Sequence, residues 1–412
     1  MNIAVYGMWH LGCVTAACVA KAGHKVVAIA DNEDACMELR YGRAPLQEPG
    51  LDDLLKEGIR LNNIIFESNL SEIKNAEILW VTFDTPVDDN DIADVEYVEN
   101  KIKEAIPYLK DHAVILISSQ VPVGTCKRLE EFLERGIRIA YSPENLRLGK
   151  ALDVFQNSDR VIIGVPNDLV LDSLMELFAP FTEKMEFMSV ASAEMTKHAI
   201  NTFLAMSVVF ANEIARICEN SGADMREVER GLKTESRIGP KAYVRAGEAF
   251  AGGTLARDVR FLDGMDSNGT FFQSILESND HHKHWVQRKL HEVLKDIKDK
   301  RVAVLGLSYK EGSDTLRRSA GITLCHWIRG KGGESIGHDP LIDEHHKELE
   351  GTLVTTNLEG VLRCTDAIVI MRGWDGLGTA LKDAKTHAHV IDLTGNYGDL
   401  KFKNYYRVGL GK

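Results

Sequence analysis

Between Ser192 and about Ser221 the chain has neither proline nor glycine, and apolar residues recur at helical spacing: Met195, Ala199, Phe203, Met206, Phe210, Ile214 and Ile217. The spacing predicts one helix of roughly 30 residues, about 45 Å long at 1.5 Å per residue, where three turns are usual. An element of that length suits a spine that links two domains and offers a surface for pairing subunits. The 412 residues are also more than one hydrophobic core serves, so two or three domains are expected.

The sequence on either side of this run has a different rhythm. Asn2 to Tyr6 is a short apolar run ending at Gly7, Gly12 to Ala22 reads as a helix of small residues, and Lys25 to Ala30 is a second apolar run ending at Asp31. Further strand-like runs follow at Ile78 to Phe83, Ala113 to Ser118 and Val161 to Val165. Strands alternating with helices argue for a doubly wound parallel sheet. After more helices, to about Asp299, the alternation restarts: Arg301 to Leu305, a helix over Ser319 to Lys331, then Ser335 to His338, Ala367 to Met371 and His389 to Leu393. The expected order is therefore α/β over 1–190, helical over 191–298, and a second, smaller α/β domain of nucleotide-binding type over 299–412.

The first strand–turn–helix, Gly7-Met8-Trp9-His10-Leu11-Gly12, is where a dinucleotide-binding turn belongs. Gly7 permits the tight turn, Gly12 the close packing of helix on strand, and the helix N-terminus would hold a pyrophosphate. Trp9 stands where the middle glycine of the fingerprint would be. Asp31 favours NAD over NADP, since a carboxylate binds a ribose 2′-hydroxyl and repels a 2′-phosphate.

Composition narrows the partners. A net charge of −12 excludes an extended nucleic-acid surface. No segment reads as the roughly 20 apolar residues that span a bilayer, and no signal peptide is visible, so no membrane partner is expected. The seven cysteines (13, 18, 36, 126, 218, 325 and 364) are scattered, a pattern of reduced thiols in a cytoplasmic protein. His281-His282-Lys283-His284 lies on a charged helix without carboxylates at ligand spacing and reads as a solvated face; no metal site is expected.

Several ordered motifs resemble the family of UDP-glucose and GDP-mannose 6-dehydrogenases across nearly the full chain. They are Pro45-Leu46-Gln47-Glu48-Pro49-Gly50-Leu51, Asp84-Thr85-Pro86, Val121-Pro122-Val123-Gly124-Thr125 and Ser142-Pro143-Glu144-Asn145-Leu146-Arg147. Ala193-Glu194-Met195-Thr196-Lys197 through Asn201 resembles the family's spine-helix signature, and Arg237-Ile238-Gly239-Pro240-Lys241 follows it. Gly306-Leu307-Ser308-Tyr309-Lys310 and Arg317-Arg318-Ser319 complete the set. The resemblance implies two Rossmann-like domains joined by a dimer-forming helical spine, NAD as cofactor and a nucleotide sugar as substrate. It implies that Thr85, Pro86, Gln120 and Arg317 join Gly7, Trp9, Leu11, Gly12 and Asp31 around NAD. It assigns Asn145, Leu146 and Arg147, then Arg237 and Lys241, then Gly252 and Lys310, to the substrate. Such enzymes serve polysaccharide biosynthesis. Members oxidise a primary alcohol to a carboxylate in two hydride transfers, with the aldehyde held on a cysteine.

Lys197 and Asn201 stand at i and i+4, so both project from one helix face. An ammonium and an amide aimed at one oxygen suit an alkoxide that develops as hydride leaves. By the resemblance Asp258 orients Lys197 or a water, and Glu144 performs acid–base work. The cysteine is missing: the family's Gly-Gly-Ser-Cys-Phe-Pro-Lys-Asp reads here Ala251-Gly252-Gly253-Thr254-Leu255-Ala256-Arg257-Asp258. Thr254 takes its position, and a threonine hydroxyl without an adjacent base is a poor nucleophile. Gln120 replaces a loop threonine, Leu148 a glutamate, Ala30 the ribose aspartate, and Asp392-Leu393-Thr394-Gly395-Asn396 lacks an arginine. Cys126, at a helix start, is a second thiol to weigh. The leading expectation is an NAD-dependent oxidation of a nucleotide-linked sugar that stops at the aldehyde, with four-electron oxidation through the aldehyde hydrate as a variant. The alternatives are a 3-hydroxyacid or 6-phosphogluconate-type dehydrogenase and a non-catalytic binding descendant.

Overall fold

Runs such as Ile78–Val81 and Val114–Ile117 are buried at every position, which requires a sheet covered on both faces and therefore a parallel one. The computed structural model describes residues 1–88, 92–144, 146–166, 171–251, 253–309, 315, 316, 319–346, 349 and 351–411. It forms two compact units, Met1–Ile200 and Asn201–Lys412.

The first unit holds an eight-stranded sheet: β1 (Asn2–Tyr6), β2 (Lys25–Ile29), β3 (Ile64–Glu67), β4 (Ile78–Val81), β5 (Val114–Ile117), β6 (Arg138–Tyr141), β7 (Val161–Gly164) and β8 (Met185–Met188). Their spatial order is β3-β2-β1-β4-β5-β6-β7-β8. All neighbours run parallel except β6 and β7, which meet antiparallel at Tyr141 and Gly164. The order reverses between β1 and β4, the switch point where ligands bind at the carboxyl ends of the strands. The second unit carries β9 (Arg301–Leu305), β10 (Glu334–His338), β11 (Ala367–Ile370), β12 (His389–Asp392) and β13 (Tyr405–Arg407), all parallel in the order β10-β9-β11-β12-β13. Helices Met225–Thr234, Leu255–Met265, Phe271–Lys283 and Trp285–Leu294 precede that sheet. Every strand expected from sequence is present within two residues. β3, β6, β8 and β13 were not expected; β8 lies at the sheet edge with its two central residues exposed, so it lacks a buried run.

The long helix spans Val190–Ser221. Its apolar stripe faces away from the chain's own core: Met195, Phe203, Phe210 and Ile217 are exposed, Phe203 by 61% and Ile217 by 54%. The buried side is polar, with Glu194, Lys197, His198, Asn201, Thr202 and Asn212 among small residues. With a mean hydropathy of 1.2 over its most apolar window, the helix is long and apolar enough to cross a bilayer by composition alone, which corrects the reading that no segment is. Its buried carboxylate, ammonium and imidazole all hydrogen-bond to protein, as in a helix packed in a protein core rather than one facing lipid.

The turn after β1 depends on two glycines. Gly7 has φ +105°, and a Cβ at Gly12 would stand 2.0 Å from the Gly7 carbonyl oxygen. Gly12→Ala is expected to destabilise the first unit by about 1–3 kcal/mol. Gly231→Ala, in open space on the helix Met225–Thr234, should gain about 0.5–1 kcal/mol. Denaturant unfolding of both variants checks the pair; equal effects would refute the packing account.

Candidate active site

The helix His10–Lys21 begins at Trp9 with no side-chain cap and no acid in its first turn, so its first amides and its dipole favour an anion. Trp9 sits at φ −93°, a conformation open to any L-residue, which explains how the turn forms without the middle glycine. Gly12 is buried with the helix interior, while Leu11 is half-buried and Asp31 exposed just beyond β2. Thr82, at the end of β4, donates to the Gly7 carbonyl at 2.9 Å. Thr85 donates to the Gln120 carbonyl at 2.6 Å, so two residues expected at the cofactor do come together; Pro86 beside them is exposed. A positive-φ glycine, an uncapped helix N-terminus and a carboxylate after the second strand fit NAD, which Gly7, Gly12 and Asp31 would hold.

The strand ends are tied across the sheet. Trp80 Nε1 donates to Ser118 Oγ at 2.9 Å, Ser118 Oγ to the Ser142 carbonyl at 2.7 Å, and Ser142 Oγ to the Ile162 carbonyl at 2.9 Å. This buried chain crosses β4 to β7 and fixes the loops that leave them. The long helix fastens the same loops. Glu194, 1% exposed, accepts from the amides of Gly124 at 2.7 Å and Cys126 at 2.9 Å. His198 Nε2 lies 3.0 Å from the Val121 carbonyl, and Lys197 Nζ donates to the Glu144 carbonyl. Glu48 acts alike elsewhere: it accepts from the amides of Gly149 and Ala151 and pairs with His10 at 2.9 Å. Sequence reasoning gave Glu194 and Glu48 no role; a glutamate inside an otherwise apolar or proline-glycine motif is the signal that could have found them.

In the second unit, Asn201 Nδ2 donates to Asp258, which is fully buried in the first turn of Leu255–Met265. Thr254 is exposed at that helix's N-cap position and makes no cap bond. A cavity of about 710 Å³ opens where β11 and β12 end, walled by Tyr243, Arg245, Glu248, Arg372, Trp374 and Tyr397. Arg372 Nη1 pairs with Glu248 at 2.5 Å, and Arg245 Nη2 donates to the Thr394 carbonyl at 2.9 Å and Asn396 Oδ1 at 2.6 Å. None of these six was singled out from sequence. Arg372-Gly373-Trp374, directly after a strand of a parallel sheet, was the available signal.

Other expected residues are placed differently. Arg237, with an 87% exposed side chain, pairs with its own neighbour Glu235, and Lys241 is exposed; neither lines the cavity. Leu146 is half-buried and Arg147 exposed. Asn145, Gly252, Lys310 and Arg317 lie outside the described residues. The helical histidines include a correction: His281 and His284 are solvated, but His282 is 9% exposed and bonded to the Gly247 carbonyl at 2.8 Å.

Cys126 is no substitute nucleophile. It is fully buried, and burial pushes its thiol well above the ordinary range, with the Glu194 charge acting the same way. Of the seven cysteines only Cys364 is exposed. Thiol titration of the native chain should therefore release about one equivalent of dye, lost in Cys364→Ser and kept in Cys126→Ser; rapid labelling of Cys126 would refute the burial argument.

Three family models match in order: the NAD binding domain of the UDP-glucose/GDP-mannose dehydrogenase family over residues 1–182, the central domain over 191–281, and the UDP binding domain over 303–398. A UDP-glucose 6-dehydrogenase of Haloferax volcanii is 31% identical over 399 residues, covering 91% of this chain and 92% of that protein. One of Bacillus subtilis is 30% identical over 386 residues, covering 90% and 84%. The solved UDP-glucose dehydrogenase of Pyrobaculum islandicum shares the fold, with TM-score 0.89, 24% identity, and 99% and 97% of the two chains covered. A UDP binding domain is what a small-hydroxyacid dehydrogenase has no use for. The chain belongs to the UDP-glucose/GDP-mannose dehydrogenase family and is an NAD-dependent oxidoreductase of a nucleotide-linked sugar.

Proposed function

We propose that the chain oxidises the primary alcohol of a UDP-linked sugar with NAD and releases the aldehyde after one hydride transfer. The observation that carries this reading is the contrast between Asp258, buried and bonded to Asn201, and Thr254, exposed at the helix N-cap without a cap bond. Lys197 and Asn201 occupy successive turns of one buried helix face. Together they stabilise the oxygen on which negative charge develops as C6 loses hydride, and Glu144 takes the hydroxyl proton. NAD, when bound, accepts the hydride. A second oxidation needs a tetrahedral adduct at the aldehyde carbon. A thiolate forms one readily, while an unionised threonine hydroxyl does not.

The test counts NADH per sugar consumed, with products identified by mass. The parent should give one NADH and an aldehyde, and Thr254→Cys should move the count toward two and a uronate. Two NADH from the parent would show that the hydrate route operates and would overturn the truncation. Lys197→Met and Asn201→Ala should each lower kcat by on the order of 10²-fold.

The same reading divides the chain into an NAD domain (1–190), a helical spine (191–298) and a nucleotide-sugar domain (299–412). It places the reaction in the cytoplasm, supplying sugars for polysaccharide biosynthesis. We also infer a homodimer built on the exposed face of Val190–Ser221. Met195, Phe203, Phe210 and Ile217 are bare along it, and an apolar stripe of that length favours a self-complementary interface. Phe203→Glu with Phe210→Lys should halve the mass seen by sedimentation; an unchanged mass would sink the dimer.

A further inference from the structure

We propose that Asn212, Asn279 and His282 are positioning residues that hold the main chain of Gly247–Phe250 as the rigid wall of the nucleotide-sugar cavity. The inference rests on the proposed function, and takes this cavity at the strand ends of the second sheet as the substrate's site.

The wall is an irregular segment, and its peptide groups need partners that no strand supplies. Three side chains, 4%, 2% and 9% exposed respectively, supply them. Asn279 accepts from the Phe250 amide at 3.0 Å and donates to the Phe250 carbonyl at 2.9 Å, pairing with that peptide as a neighbouring strand would. Asn212, from the long helix, accepts from the Gly247 amide at 2.9 Å and donates to the Glu248 carbonyl at 3.5 Å. His282 closes the set on the Gly247 carbonyl at 2.8 Å. A carbonyl only accepts, so Nε2 carries the proton.

Between these fixed peptides stands Glu248, whose carboxylate meets Arg372 at 2.5 Å inside the cavity. Arg372 is set in turn by the Tyr309 carbonyl at 3.1 Å. The clamp therefore decides where the Glu248–Arg372 pair stands, and four residues further on the chain reaches Thr254 and the helix bearing Asp258. Burial holds the His282 imidazole below its ordinary pKa. The Gly247 carbonyl opposes that shift, Arg288 adds to it, and Glu219 and Glu213 oppose it. The clamp therefore works with a neutral ring. A solvated histidine would make no such bond.

Four full-length variants separate positioning from bulk stability. His282→Leu removes the donor and His282→Gln keeps an N–H at similar reach. Asn279→Ala removes both bonds. Asn279→Asp keeps the acceptor for the Phe250 amide but sets an oxygen against its carbonyl. Steady-state KM for UDP-glucose and for NAD, with melting temperatures, are read for each. His282→Leu, Asn279→Ala and Asn279→Asp should raise KM for the sugar by up to about 10²-fold, the scale of a 1 Å misplacement. KM for NAD should stay unchanged, and His282→Gln should restore most of the loss. Variants that fold and keep the parental sugar KM would overturn the clamp, as would equal rises in both KM values. A parent that binds NAD yet turns over no nucleotide sugar would instead remove the substrate reading, and this inference with it.

Discussion

A buried polar group is costly without a partner, and the helix Val190–Ser221 buries Glu194, Lys197, His198, Asn201 and Asn212, each of them hydrogen-bonded. That requirement organises the site. Glu194, Lys197 and His198 have partners in the loops after β5 and β6; Asn201 and Asn212 have theirs in the segment from Gly247 to Asp258. Within the first unit the helix thus fastens the loops at Val121–Cys126 and Glu144, and within the second it fastens the segment at Gly247 and Asp258. Removing one partner would leave the other buried and unpaired, which costs more than the bond itself contributes.

The helix inverts the ordinary amphipathic arrangement. A surface helix normally turns its apolar stripe inward, and this one turns its large apolar residues outward and buries small and polar ones. Alanines at 193, 205, 211 and 215 let other segments approach closely, so short polar side chains reach backbone atoms. The outward stripe is then free to meet another protein surface. One element serves as scaffold on one side and as a candidate interface on the other.

The loss of the cysteine stands out against how much else is kept. The uncapped helix N-terminus, the glycine turn, the Asn201–Asp258 bond and the sheet switch point all remain in place. In the proposed reading, hydride transfer draws on those features and not on a nucleophile. Covalent capture of the aldehyde would depend on one side chain, so in the proposed reading it is the step that a single substitution deletes. The fold places Cys126 in the apolar core against Glu194, where a thiolate is disfavoured twice over.

Periodicity is local, so the sequence shows the long helix as an unbroken repeat and nine buried strands as short apolar runs, while β3, β6, β8 and β13 escape it. The sequence also singled out Lys197, Asn201, Asp258 and Thr254 as candidates, since each stands in a motif of fixed spacing. Which way the long helix faces is set by packing alone, because a stripe of Met195, Phe203 and Phe210 has the same period whether it meets the core or solvent. Nor could spacing show that His282 reaches Gly247, 35 residues away in the chain, or that Arg372 meets Glu248 across 124. Those pairings follow from the packing of helices and the alignment of parallel strand ends, which bring distant residues to one place without leaving a local trace.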